Sequence, residues 1–330
     1  TKFAILALSL VLVACAGGGS EEAGCPAIDG REINVVATTP MIGEFVSQVG
    51  SENINLTVLM PPEANPHTYE PAPQDAGTIA EADLVFYTGL LYEPAALVKL
   101  LENSACSADI LSEVGESVFP IEFKEGGHDD HDDHDDEEGH DDEEGHDDHE
   151  GHNHGAYDPH FWFDPSRVAY AAEYIESRLI QFDPENESSY ISSADSFVSE
   201  LNDLTKQVSE LISTVPSQNR KLITTHESLG YLEAKFGLEV LSTIIPSLNS
   251  ANEISPSDLA GVIDVIEDNN VKVIFIESEA PSVYSETIVA ETGIKPVTGL
   301  YVETLKPGQS YSEFLISNVK LITENLQDTD

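Results

Sequence analysis

The 330-residue sequence predicts an α/β protein: two lobes of βα units on mostly parallel sheets, joined by one long rigid helix. Three observations lead there. The length favours two domains of roughly 150 residues over one core. Short strand-like runs alternate with helical ones in two separate sets, the pattern that lays helices over a parallel sheet. Between the sets lies the strongest helical periodicity in the chain.

In the first set, 33–38, 54–60, 84–88 and 109–114 read as strands and 42–49, 74–82 and 93–102 as helices. Asp164 followed by Pro165 reads as the cap and first position of a further helix. The second set has strands at 222–225, 238–244, 271–276 and 296–300, with helices at 229–236, 256–269, 283–292 and 311–326. In the linking helix, Tyr190, Ala194, Phe197, Leu201, Leu204, Val208 and Leu211 recur at alternating spacings of four and three among Ser, Asp, Glu and Lys. It runs from about 188 to 213, roughly 40 Å at 1.5 Å per residue, and Pro216 stops it. The same seam could serve a coiled-coil dimer, but about three and a half heptads favour packing across both lobes of a monomer. The expected boundaries are a first lobe at 32–187, a linking helix at 188–214 and a second lobe at 215–330.

Composition narrows the function. With 61 acids against 14 bases the net charge is -47, which leaves no basic surface for nucleic acid or an anionic membrane. A 40% hydrophobic fraction with 12 Phe and 11 Tyr still supplies real cores. Part of the charge is local. Residues 128–154, within a loop at 125–156, hold ten Asp, five Glu and eight of the eleven His: His128, His131, His134, His140, His146, His149, His152 and His154. The tract has no apolar residue, so it is expected to be disordered without metal and to gather ions weakly. The remaining 46 acids and 14 bases leave -32, as adaptation to high salt or another environment would.

At the N-terminus, Lys2 precedes an apolar run of 12 residues at 3–14, broken only by Ser9. That is too short for a bilayer, which takes about 20, and reads as a secretory signal. The sequence opens on Thr, so a residue or two is expected upstream. Leu12-Val13-Ala14-Cys15 resembles the lipobox of prokaryotic lipoproteins, which implies a lipid on Cys15 and a tether at 15–31. Cys25 and Cys106 form an even number in an exported chain; a disulfide from tether to first lobe and two free thiols are both open.

Outside the tract only three His remain. His67 lies in Asn65-Pro66-His67-Thr68-Tyr69-Glu70-Pro71, His160 in Asp158-Pro159-His160-Phe161-Trp162-Phe163-Asp164-Pro165, and His226 in Thr225-His226-Glu227-Ser228-Leu229-Gly230-Tyr231. Two of them stand at or beyond the carboxyl ends of predicted strands, where open α/β sheets place ligands. In a chain that spends its other His on a metal-ligand tract, three so placed point to one metal site drawing on both lobes.

These motifs, their order, the lipobox, the tract and the long helix resemble the metal-binding lipoproteins of ABC transporters, in the zinc-uptake (ZnuA-type) branch, over about residues 32–326. The resemblance implies a metal in the interlobe cleft, held by His67, His160, His226 and an acidic residue after the last strand. The family usually carries Asp there; this chain offers Glu303, with Glu277 as second choice. It implies an extracytoplasmic, lipid-anchored protein that hands its ion to a permease and its ATPase. Three imidazoles and one oxygen suit four-coordinate Zn²⁺, whereas Mn²⁺ prefers more carboxylate. Glu70, Asp158 and Asp164 either orient the imidazoles or cap turns. The tract reads as a zinc-collecting lid. A manganese or other divalent-metal binder, or an adhesin of the same fold, is the alternative. A zinc hydrolase is disfavoured because no His-Glu-x-x-His occurs and four protein ligands leave no position for water.

Overall fold

The computed structural model describes residues 25, 27–28, 30–123, 157–280 and 283–327. The signal, Cys15 and the His-rich tract lie outside these.

The first lobe holds a four-stranded parallel sheet in the order β2-β1-β3-β4, from β1 (Ile33–Ala37), β2 (Ile54–Val58), β3 (Leu84–Tyr87) and β4 (Leu111–Glu113). Helices α1 (Pro40–Gly50), α2 (Pro73–Ala80) and α3 (Ala95–Ser104) are its crossovers. Central β1 and β3 are covered on both faces, which is why, Asn34 apart, they read as apolar runs rather than alternating ones. β4 is shorter than the expected 109–114. Ser107 caps a 3₁₀ turn by accepting from the Asp109 N–H, so Ala108–Ile110 is spent on that turn.

In the second lobe β5 (Lys221–His226) pairs in parallel with β6 (Glu239–Ile245), and β7 (Val273–Glu277) with β8 (Lys295–Leu300). β5 and β7 lie side by side. Helices α6 (Gly230–Phe236), α7 (Pro256–Asp268), α8 (Val283–Thr292) and α9 (Tyr311–Gln327) complete it.

A shorter helix packed on the first lobe leads into the one that links the two. α4 (Pro165–Phe182) starts as expected, with the Asp164 carboxylate accepting from the Ser166 N–H at 2.9 Å. α5 (Glu187–Ser213) is the long one. Its buried face is Tyr190, Ala194, Phe197, Leu201, Leu204, Val208 and Ile212. The last position is Ile212 rather than Leu211, because a straight helix of 3.6 residues per turn drifts away from a strict heptad. Leu211 flanks the core, half-buried.

The largest apolar core is continuous. It runs from β1 and α1 through Phe161, Trp162, α4 and α5 to Leu300, Phe314 and Ile322 of the second lobe. Phe45 of α1 meets Tyr311 of α9 edge-on at 5.3 Å, and the Trp162 indole N–H donates to the Val302 carbonyl at 2.8 Å. Swinging the lobes wide apart would wet this shared core, so the fold favours small displacements.

Cys25 and Cys106 are joined in a disulfide spanning 81 positions. By loop entropy alone such a closure stabilises by roughly 4–5 kcal/mol. Arg31 adds a second tie beside it, meeting both Asp83 oxygens at 2.6 and 2.7 Å. Among the described residues no helix is long and apolar enough to cross a membrane.

Candidate metal site

Each of the three His is delivered by a different device. His67 sits in a single 3₁₀ turn, Pro66–Thr68, beyond β2; Asn65 caps it by accepting from the His67 N–H at 2.9 Å, and Pro66 supplies the preset φ. His160 precedes the aromatic turn Phe161–Phe163, whose three rings are buried and anchor the segment. His226 is the last residue of β5.

The fold brings all three to Glu303, on the loop after β8. One nitrogen of each imidazole and one Glu303 oxygen lie within 4.8 Å of one another. His67 Nε2 is 3.1 Å from Glu303 Oε1, His226 Nε2 is 2.9 Å from the same oxygen, and His160 Nε2 is 3.4 Å from Oε2. The last two contacts lack hydrogen-bond geometry, so Nε2 of His160 and of His226 are buried without a hydrogen-bond partner. Buried polar atoms left so are costly, and once these nitrogens give up their protons, a cation at the point they share would satisfy their lone pairs.

The other ring nitrogens of His160 and His226 are held by carboxylates, while His67 Nδ1 is buried without a hydrogen-bond partner. His160 Nδ1 is 2.8 Å from Asp158 Oδ1, which also accepts from the His160 backbone N–H at 2.8 Å. His226 Nδ1 bonds Glu277 Oε2, and Glu277 Oε1 accepts from the His226 N–H and the Ser228 hydroxyl, both at 3.2 Å. Glu277, the second choice for the acidic ligand, therefore stands behind His226, outside the cluster of four. Asp158 orients an imidazole as one of its two readings allowed. Asp164 takes the other reading and caps α4. Glu70 is exposed, and among the described residues no hydrogen bond joins it to the imidazoles. Carboxylates behind metal-binding imidazoles set the tautomer, and losing one typically costs 10–100-fold in affinity. Glu277→Gln is expected to weaken metal binding within that range while keeping one ion per chain, as read by competition with a chromophoric chelator; an unchanged affinity would remove Glu277 from the site.

The electrostatics are strongly coupled. Burial alone would push the His160 imidazole down, but the Glu303 charge, then the bond to Asp158, raise it to about 9. Burial also opposes protonation of His226, and the charges of Glu277 and Glu303 raise it well above its ordinary value. Glu303 is buried, which favours its neutral form, yet the three imidazoles, His67 first, hold it well below the usual carboxylate range.

Two groups around Glu303 had no sequence signal. The Tyr92 hydroxyl donates to Glu303 Oε2 at 3.0 Å, and the ring stands edge-on to His67 at 5.1 Å. Tyr92 follows a left-handed run at Gly89, Leu90 and Leu91, with φ of 75°, 54° and 63°. The two leucines cost about 1 kcal/mol or more each in that conformation. The run is pinned by carboxylates: Glu93 accepts from the Thr88 and Gly89 N–H groups and Glu113 from that of Leu90. A Cβ on Gly89 would stand 2.0 Å from Glu113 Oε1, so only glycine fits. Glu279 accepts from the Glu303 N–H at 3.3 Å; burial, then the charges of Glu303 and Glu277, raise it to about 8.

Two parallel-sheet lobes sharing a core around buried imidazoles and one carboxylate define a metal-binding receptor of the two-lobe type. Comparison with known proteins places it further. The family model for "Zinc-uptake complex component A periplasmic" matches residues 35–325, and the chain belongs to that family of periplasmic metal-binding components of ABC transporters. It is 28% identical to the high-affinity zinc uptake system protein ZnuA of Bacillus subtilis over 334 residues, covering 98% of this chain and 96% of that one. It is 23% identical to the manganese-binding lipoprotein MntA of Halalkalibacterium halodurans over 321 residues, covering 97% and 94%. Among solved structures, the periplasmic zinc-binding protein TroA of Treponema pallidum superposes with a TM-score of 0.75 at 21% identity, over 89% of this chain and 99% of that one. The relatives' names divide between zinc and manganese, so the metal has to be argued from this chain's own donors.

Proposed function

We propose that this protein captures Zn²⁺ outside the cytoplasm, as a monomer anchored by a lipid on Cys15, and delivers it to a membrane permease driven by an ATPase. His67, His160, His226 and Glu303 are the ligands. The observation that carries the choice of zinc is the donor count: three imidazoles and one carboxylate converge, while Asp158 and Glu277 are engaged behind the rings and Glu279 on the backbone N–H groups of Val302 and Glu303. Four-coordinate N₃O suits Zn²⁺, and Mn²⁺ would want more oxygen. Four protein ligands leave no open position, which suits carriage over hydrolysis. The His/Asp tract adds weak sites that collect ions.

Metal titration of the mature chain tests this. One tight zinc site is expected in the wild type and none in His67→Ala, with zinc displacing manganese in direct competition. Deleting 128–154 leaves the tight site and removes several weak ones. Tighter retention of manganese would overturn the metal. Loss of tight binding on deleting the tract would overturn the ligand set.

A further inference from the structure

Asn65 uses its amide in two directions. The oxygen accepts from the His67 N–H, and the nitrogen donates to Ser250 Oγ at 3.0 Å and to the Glu279 carbonyl at 3.1 Å. The neighbours decide the orientation, since an N–H needs the oxygen and a carbonyl needs the nitrogen. Ser250 follows β6 and Glu279 follows β7, so a first-lobe residue two positions from His67 is bonded twice to the second lobe. From Glu279 the path continues: its carboxylate accepts from the Val302 N–H at 3.4 Å and the Glu303 N–H at 3.3 Å. Glu303 Oε1 in turn meets His67 Nε2. The four residues His67, Asn65, Glu279 and Glu303 thus form a closed ring across the cleft.

We propose that Asn65 is a positioning residue that ties His67 to the Glu303 loop from behind the ion and slows the ion's release. The inference rests on the reading of the cluster as the zinc site. An ion leaving the cluster must part His67 from Glu303 and His226 of the other lobe, and the two donor bonds of Asn65 oppose that separation. Capping alone does not account for them. A cap needs only the side-chain oxygen, which Ser or Asp supplies equally well. The amide nitrogen is surplus to the cap and is spent entirely on the opposite lobe.

The test separates the two roles by following zinc transfer from the mature protein to a chelator in a stopped-flow instrument. Asn65→Ser keeps the cap but is too short to reach Ser250 or Glu279. It is expected to speed release about tenfold, the worth of one to two neutral hydrogen bonds, with the association rate unchanged. Ser250→Ala is expected to speed release by a smaller factor, and the double variant to release no faster than Asn65→Ser alone, because Ser250 acts through Asn65. A release rate within about twofold of wild type in Asn65→Ser, or effects that multiply in the double variant, would overturn the tie while leaving the zinc site standing. Absence of a tight zinc site in the wild type, or unchanged binding in His67→Ala, would overturn the reading of the site and this inference with it.

Discussion

Glu303→Gln is expected to lower zinc affinity by about two orders of magnitude and to move the imidazoles it faces. The glutamine keeps the shape and removes the charge. Structural zinc sites are worth about 10–16 kcal/mol, so one ligand of four accounts for about 3 kcal/mol, roughly a hundredfold. The second consequence concerns the metal-free protein. The charge of Glu303 is the largest influence raising His160, so its removal lets burial dominate and the imidazole falls from about 9. Titration of the His160 and His226 ring resonances by NMR in the metal-free variant reads this directly, while chelator competition reads the affinity. Wild-type affinity in Glu303→Gln would mean that water or another group supplies the fourth donor.

Zinc binding is expected to release protons and to weaken steeply as pH falls. At pH 7 a ring whose pKa is about 9 carries a proton on each nitrogen, and zinc needs the Nε2 lone pair. His160 alone then costs about tenfold in affinity per pH unit below 9, and His226, raised well above its ordinary value, steepens the loss further. The Nδ1 protons stay with Asp158 and Glu277, so the expected count is two protons per ion. The sign for the metal-free fold is opposite. His160 is raised above its ordinary 6.5, so its contribution to stability is fully present below that value and is lost as pH rises through about 9. Calorimetry in buffers of different ionisation enthalpy gives the proton count. A flat affinity profile between pH 6 and 8 would refute the coupling.

Much of this was legible before any coordinates. Strands and helices followed from periodicity and alternation, and α5 starts within one residue of the periodic segment and ends with it. The three His could be separated from the other eight because each sits in a proline- or strand-bounded motif, whereas the tract has no apolar neighbours. Asp158 could be singled out because it lies two residues from its ring. What could not be read was contact across long separations. Tyr92 and Glu303 are 211 positions apart, and Asn65 and Glu279 are 214 apart. Gly89 permits a left-handed turn, but nothing local in 89–93 says that the turn carries a tyrosine to another lobe's carboxylate.

The sequence by itself pointed to three isolated imidazoles and to a helix long enough to serve both lobes, and the family resemblance implied an acidic position after the last strand. Only the tertiary structure decided between carboxylates. Glu277 ends β7 and Glu303 lies three residues beyond β8, so each is an acid at the carboxyl end of a strand, but β7 lies against β5 and turns Glu277 to the outer nitrogen of His226, while the loop after β8 carries Glu303 to the centre. The physical reason is that ligand identity is set by distances of about 3 Å among residues up to 236 positions apart, which packing of the shared core fixes and no local pattern encodes.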